Sequence, residues 1–192
     1  MYNELSEAAE NGDLEQVSLL LANGEDVNSF DALPLAAANG HLNIVTYLLK
    51  HGANVNQTGE HGRTALHNAA ENGHLDIVKL LLKHRAACDT QDRGYLHTSS
   101  PLTTVLWKLH EHRYEEAVAR NYIKIIKALL KGGADPYFVV HSSTSDGLPS
   151  QVVAYELAFM AEDYADAVKN LFDTYTGQQK HKWTWSSLFR KE

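Results

Sequence analysis

Cysteine occurs once in the 192 residues, at Cys88, so no disulfide can close within the chain. A lone thiol suits a reducing compartment, and its ordinary use is as a small apolar side chain in a core. No apolar run approaches the roughly 18 residues of a membrane span. The opening MYNELSEAAENGD has neither the basic nor the apolar stretch of a signal peptide. The expectation from these absences is a cytoplasmic or otherwise intracellular chain with no membrane insertion. Lys and Arg are absent from the first 49 residues, which hold eight acids. The net charge of −7 is therefore uneven: residues 1–100 carry 13 Asp+Glu against 6 Lys+Arg, and residues 101–192 carry 11 of each. Such asymmetry argues against a nucleic-acid backbone at the N-terminal end and for a protein ligand with a basic segment there.

Catalytic signatures are missing as well. There is no Gly-x-Ser-x-Gly, no phosphate-binding loop, no dinucleotide fingerprint and no His-Glu-x-x-His. Eleven histidines invite a metal hypothesis, and the densest run is His110-Glu111-His112-Arg113-Tyr114-Glu115-Glu116. On a helix His112 and Glu116 share a face while His110 and His112 point apart, so too few ligands converge for a zinc site. No enzyme activity, cofactor or metal is expected.

What is present is repetition. Residues 39–56 read NGHLNIVTYLLKHGANVN and residues 72–87 read NGHLDIVKLLLKHRAA, with Gly40 and Gly73 33 positions apart. A unit of that length cannot bury its apolar face alone and stacks on copies of itself. Leu66, Ala69 and Ala70 have helical spacing, and Ile77, Val78, Leu81 and Leu82 form the apolar stripe of a second helix. Asn72-Gly73, lying between two helical periods, reads as a left-handed helix end. Residues 62–86, through Gly62, Thr64, Leu66, His67, Ala69, Ala70, Gly73, His74, Ile77, Val78, Leu80, Leu81 and Leu82, resemble the ankyrin repeat, with Ala65 where the family has proline. The resemblance implies an all-α ankyrin-repeat solenoid with short β-hairpin fingers, in which His41, His67 and His74 are structural.

The array is irregular. Five repeats are expected, at about 1–28, 29–56, 57–89, 90–136 and 137–176, with a basic, aromatic tail at 177–192. The first exposes Glu4, Glu7 and Glu10, as a capping repeat needs. The hairpin before the second is five residues short, since Val27 to Leu33 is 6 positions and Val55 to Leu66 is 11. The fourth repeat is stretched: its second-helix motif, Ile125 to Ala134, follows that of the third by 48 positions. Three of the extra residues fall in the hairpin and twelve between Leu106 and Asn121. Helical spacing of Leu109, Tyr114, Ala117 and Val118 leads to the expectation that both helices lengthen and project beyond the stack, as a dispensable extension. The fifth repeat is degenerate, with helices expected near Ala154–Ala158 and Ala167–Phe172. Trp183 and Trp185 in the tail read as a cap over the end of the stack, or as a linear motif for a partner. At the end of the third repeat's second helix, Arg85 stands where Gly24, Gly52 and Gly133 stand elsewhere.

By the resemblance, the function is non-catalytic protein–protein recognition, as adaptor, scaffold or inhibitor, by a monomer. Partners would meet the exposed side of the first helices at Glu7, Glu10, Leu35, Ala38, Asn68, Glu71 and Thr104, and the fingers at Phe30, His61, Arg63, Arg93 and Tyr95. Asn28, in Asp26-Val27-Asn28, is a hydroxylation candidate by the same resemblance, against the simpler reading of a loop hydrogen bond. Short arrays of this kind also include effectors that bacteria deliver into host cells. Two other classes stay open: head-to-tail self-assembly between the acidic N-terminal end and the basic tail, and an enzyme or metal site built on residues 107–120.

Overall fold

Each helix pair starts at a short polar side chain that can satisfy free backbone N–H groups. Asn3 Oδ1 accepts from Ser6 N at 2.9 Å, Ser100 Oγ accepts from Thr103 N at 3.2 Å, and Thr64 Oγ1 accepts from His67 N at 3.5 Å. Asp31 holds the same position before the second pair but makes no such bond, in the repeat whose hairpin is short. The structure, a computed structural model, describes residues 3–29, 31–91, 99–136, 139–143, 149–153 and 164–175. Four helix pairs come first: α1 (Glu4–Asn11) with α2 (Leu14–Ala22), α3 (Ala32–Ala38) with α4 (Leu42–Lys50), α5 (Ala65–Glu71) with α6 (Leu75–Lys83), and α7 (Pro101–Glu111) with α8 (Glu116–Lys131). Then come strands β1 (Val139–Ser143) and β2 (Pro149–Val153) and a last described helix, α9 (Ala165–Tyr175).

The first helices α1, α3, α5 and α7 pack in sequence as one layer, and α2, α4, α6 and α8 as a second. Two rows of apolar side chains hold the layers together. Leu5, Leu33, Leu66 and Leu102 run along the first layer, each 1% exposed or less, and the paired alanines after the first three allow close approach, where α7 has Val105 and Leu106. Ile44-Val45, Ile77-Val78 and Ile125-Ile126 run along the second. Each such side chain stabilises by roughly 1.5–3 kcal/mol when buried. The repeats therefore need one another, since a single pair would leave these rows in water. The molecule is a helical repeat solenoid.

Polar ladders fix the spacing between repeats. His41 Nε2 donates to the Glu10 carbonyl at 2.9 Å and His74 Nε2 to the Ala38 carbonyl at 3.0 Å. Each ring lies against the glycine that ends the preceding first helix. A Cβ at Gly12 would sit 2.7 Å from His41 Cε1, and one at Gly40 equally close to His74 Cε1. With φ of 80° and 78° besides, these two positions require glycine. His67, fully buried, receives Thr64 N at its Nδ1 and donates from Nε2 to Ser99 O at 3.1 Å. A second ladder runs through the loops. Asn28 Oδ1 accepts from Asn54 N at 2.7 Å, Asn56 Oδ1 from Ala87 N at 2.8 Å, and Asp89 Oδ1 from Asp135 N at 3.1 Å.

The stretched fourth repeat has long helices, 11 residues in α7 and 16 in α8, against 7 and 9 in the pair before it. The expectation of a dispensable projection is corrected by their packing. Leu109 and Ala119 are fully buried members of the core, and His112 stacks on Tyr122 with ring centroids 6.0 Å apart. The extra turns thus contribute one buried residue from each helix to the core, while Glu111 and the stretch 114–117 stand in solvent. Tyr114, at the turn between them, is 79% exposed.

The third repeat's finger is a single bridge, Thr58 opposite Thr64, with a tip at His61 of φ 59°. The strand pair lies in the long stretch before the fifth repeat, antiparallel, with Val139 opposite Val153 and Ser143 opposite Pro149. α9 packs on α8 and buries Val168 and Phe172 completely. The helix expected at Ala154–Ala158 and the Trp183–Phe189 tail lie outside the described residues.

Candidate functional site

The register of the leucine row defines what the first helices present outward. Two positions after Leu5, Leu33, Leu66 and Leu102 come Glu7, Leu35, Asn68 and Thr104; five positions after come Glu10, Ala38, Glu71 and Trp107. These two rows lie on the side of the first layer away from the second helices, because 3.6-residue periodicity turns them off the leucine face. Glu7 is exposed, and Glu10, Leu35, Ala38, Asn68 and Glu71 are partly exposed. Thr104 differs: it is 7% exposed, and its Oγ1 donates to Ser99 Oγ at 3.0 Å. Trp107, 45% exposed, is the large side chain that α7 offers on this face. Trp107 is not among the residues expected on this face, although the leucine register points to it.

Arg63, Asn68 and Glu71 are already brought together. Arg63 Nε donates to Asn68 Oδ1 at 3.0 Å, its guanidinium pairs with the Glu71 carboxylate, and Asn68 Nδ2 donates to Pro34 O at 3.1 Å. These three form one polar strut across two repeats, partly shielded from water, which presents a fixed charge pattern to any ligand. Lys108 Nζ donates to Glu111 Oε2 at 2.8 Å further along α7. That hydrogen bond is the main reason the Lys108 ammonium holds its proton above the usual lysine range, with Glu71 adding to it. The face thus runs from acids on α1, through a neutral stretch on α3, to a mixed and aromatic end on α5 and α7.

His61 is exposed at the finger tip. Phe30, Arg93 and Tyr95 lie outside the described residues. Asn28 is exposed but engaged, its Oδ1 receiving Asn54 N and its carbonyl receiving Gln57 Nε2 at 2.6 Å, which agrees with the simpler reading of a loop hydrogen bond. Cys88 is buried, with its thiol pKa pushed up to about 11 by burial first and the Asp89 charge second, the opposite of an activated nucleophile. Among the described residues no three His, Cys, Asp or Glu side chains gather as a metal ion would need. No helix among them is long and apolar enough to cross a membrane.

No curated protein matches the chain. Residues 5–92 match the family model described as ankyrin repeats, in three copies. Ankyrin repeats generally mediate protein–protein interaction and are typically non-catalytic. The matched region spans the helix pairs from α1 to α6, so over residues 5–92, where the histidine ladder and the paired layers run, the chain is similar to ankyrin repeats.

Proposed function

We propose that the chain is a non-catalytic recognition module, an adaptor, scaffold or inhibitor working as a monomer inside the cell. Its partner is a protein with a basic segment, received on the outward side of the first helices. The observation that carries this reading is the row Glu7, Glu10, Glu71 and Trp107, exposed or partly so on one side of one layer. Carboxylates at one end steer a basic segment, and a tryptophan at the other end supplies the kind of side chain that anchors interfaces. The Arg63–Asn68–Glu71 strut between them is ordered before any partner arrives, which lowers the entropy lost on binding.

The test is a comparison of wild type with Glu7→Lys/Glu10→Lys and with Trp107→Ala, in capture from eukaryotic cytosol followed by mass spectrometry and then binding kinetics on the captured protein. The charge variant is expected to slow association in a salt-sensitive way, and Trp107→Ala to speed dissociation at a cost of about 2 kcal/mol. If both variants retain the same partner with unchanged rates, this face is not the recognition surface.

A further inference from the structure

A different surface lies on the second layer. Every exposed side chain of α8 from Arg120 onward is cationic: Arg120, Lys124, Lys127 and Lys131. Spacings of four, three and four residues place them along one line within about 60° of the helix circumference. That line is opposite the buried side formed by Ala119, Tyr122, Ile125, Ile126, Leu129 and Leu130, and its length is ~16 Å at 1.5 Å per residue. Arg120 pairs with Glu116, whereas Lys124, Lys127 and Lys131 have no ion-pair partner among the described residues.

The stripe is not a general property of the second helices. In register, Lys131 matches Lys83 and Lys50, and cations in a last turn complement the helix dipole without further purpose. Lys124, however, matches Asp76 and Asn43, and Lys127 matches Lys79 and Thr46. On α6 the charge is balanced, Lys79 Nζ lying 3.4 Å from Asp76 Oδ1. On α8 the corresponding pair is two lysines, and like charges three and four residues apart destabilise a helix. An anionic occupant relieves that repulsion. The helices on either side are mixed in charge. α6 exposes Asp76 together with Lys79 and Lys83, and α9 exposes Asp166 and Asp173 together with Lys169.

The acids in that border select the occupant. A bilayer surface would press Asp76, Asp166 and Asp173 against its headgroups together with the lysines. A nucleic-acid duplex carries a charge per ~1.7 Å of axis, far denser than four cations in ~16 Å, and would overrun the stripe into those acids. A single rod with carboxylates every three or four residues matches it in width, length and spacing. We propose that the outward face of α8 is a docking site for an acidic amphipathic helix of another protein, separate from the first-helix face.

The test uses a fluorescein-labelled alanine-rich helical peptide with Glu at positions i, i+4, i+7 and i+11, and its counterpart with Lys at the same places, against wild type and Lys124→Glu/Lys127→Glu. Both substituted positions are exposed, so circular dichroism should be unchanged. The glutamate peptide is expected to lose at least tenfold in affinity on the variant, while the lysine peptide gains, and Glu7→Lys/Glu10→Lys should leave the glutamate peptide bound. The two surfaces therefore fail separately. Equal binding of the glutamate peptide to wild type and variant overturns the proposal. So does tighter, stripe-dependent binding of phosphatidylserine vesicles or of a DNA duplex than of the peptide.

Discussion

Tyr122 Oη donates to the Glu71 carbonyl at 2.9 Å. In register, this is the bond that His74 Nε2 makes to Ala38 O and His41 Nε2 to Glu10 O, with a phenol in place of the imidazole. Beside it, Asn121 Nδ2 donates to Gly73 O at 2.7 Å. The inter-repeat ladder thus survives the twelve-residue insertion. It reaches α8 through a residue in the interior of that helix, where the other repeats use one at the helix start. A longer side chain spans the same gap from a helical backbone.

Removing that hydroxyl tests the ladder directly. Tyr122→Phe keeps the buried ring and leaves the Glu71 carbonyl without its donor, so it should cost about 1 kcal/mol. Thermal unfolding should fall by roughly 2–4 °C in a chain of this size. Burial chiefly holds the Tyr122 hydroxyl above the usual tyrosine range, against the lowering effect of Lys108. A spectroscopic titration should therefore lose its late-ionising tyrosine in the variant.

Arg85 is in the left-handed region at φ 63°, where Gly24, Gly52 and Gly133 have φ of 91°, 88° and 102°. A side chain there costs about 1 kcal/mol relative to glycine. Arg85 is exposed, so little packing is lost with it. Arg85→Gly should raise the melting temperature by about 2–4 °C. A fall would mean that Arg85 holds a contact worth more than the strain.

The insertion should prove indispensable. Deleting Leu109–Arg120 removes two fully buried core residues, Leu109 and Ala119, and His112, which stacks on Tyr122. Leu109→Ala alone should cost about 2–5 kcal/mol, a large share of the roughly 5–15 kcal/mol that holds a domain folded. Urea unfolding of the two variants checks this. A deletion as stable as wild type would show that α7 and α8 re-form a seal without those turns.

Asp89 stands where the loop ladder otherwise has Asn28 and Asn56. Burial pushes its carboxyl above the usual range, with the Asp135 charge adding and the Asp135 backbone N–H opposing. A raised folded pKa means that the protonated form favours folding. That stability is present below the unfolded pKa and is lost as pH rises through the folded one. Asp89→Asn keeps the acceptor and discards the charge. It should raise the melting temperature at pH 7, by about 1–3 °C, with the gain vanishing as pH falls below the carboxylate range. The Cys88 thiol should also move down from about 11, since the Asp89 charge is one of the two causes that raise it.

The local elements and their register are legible in the residues alone. Glycine at 33-residue spacing, the paired alanines and the isoleucine–valine pairs specify helix ends, close packing and buried stripes through backbone and side-chain geometry alone. The resemblance to ankyrin repeats implied that Glu7, Glu10, Leu35, Ala38, Asn68, Glu71 and Thr104 face outward from the first helices, and all but Thr104 are at least partly exposed. What depends on contacts between distant residues emerges in three dimensions. Thr104 is covered beside Ser99 and Trp107 is left facing out. Arg63 is spent on Asn68 and Glu71. The insertion is core because Leu109 and Ala119 meet other buried residues there. The α8 stripe was hidden for the same reason. Residues 101–192 sum to zero charge, and only the burial of one side of α8 shows that its cations stand together on the other.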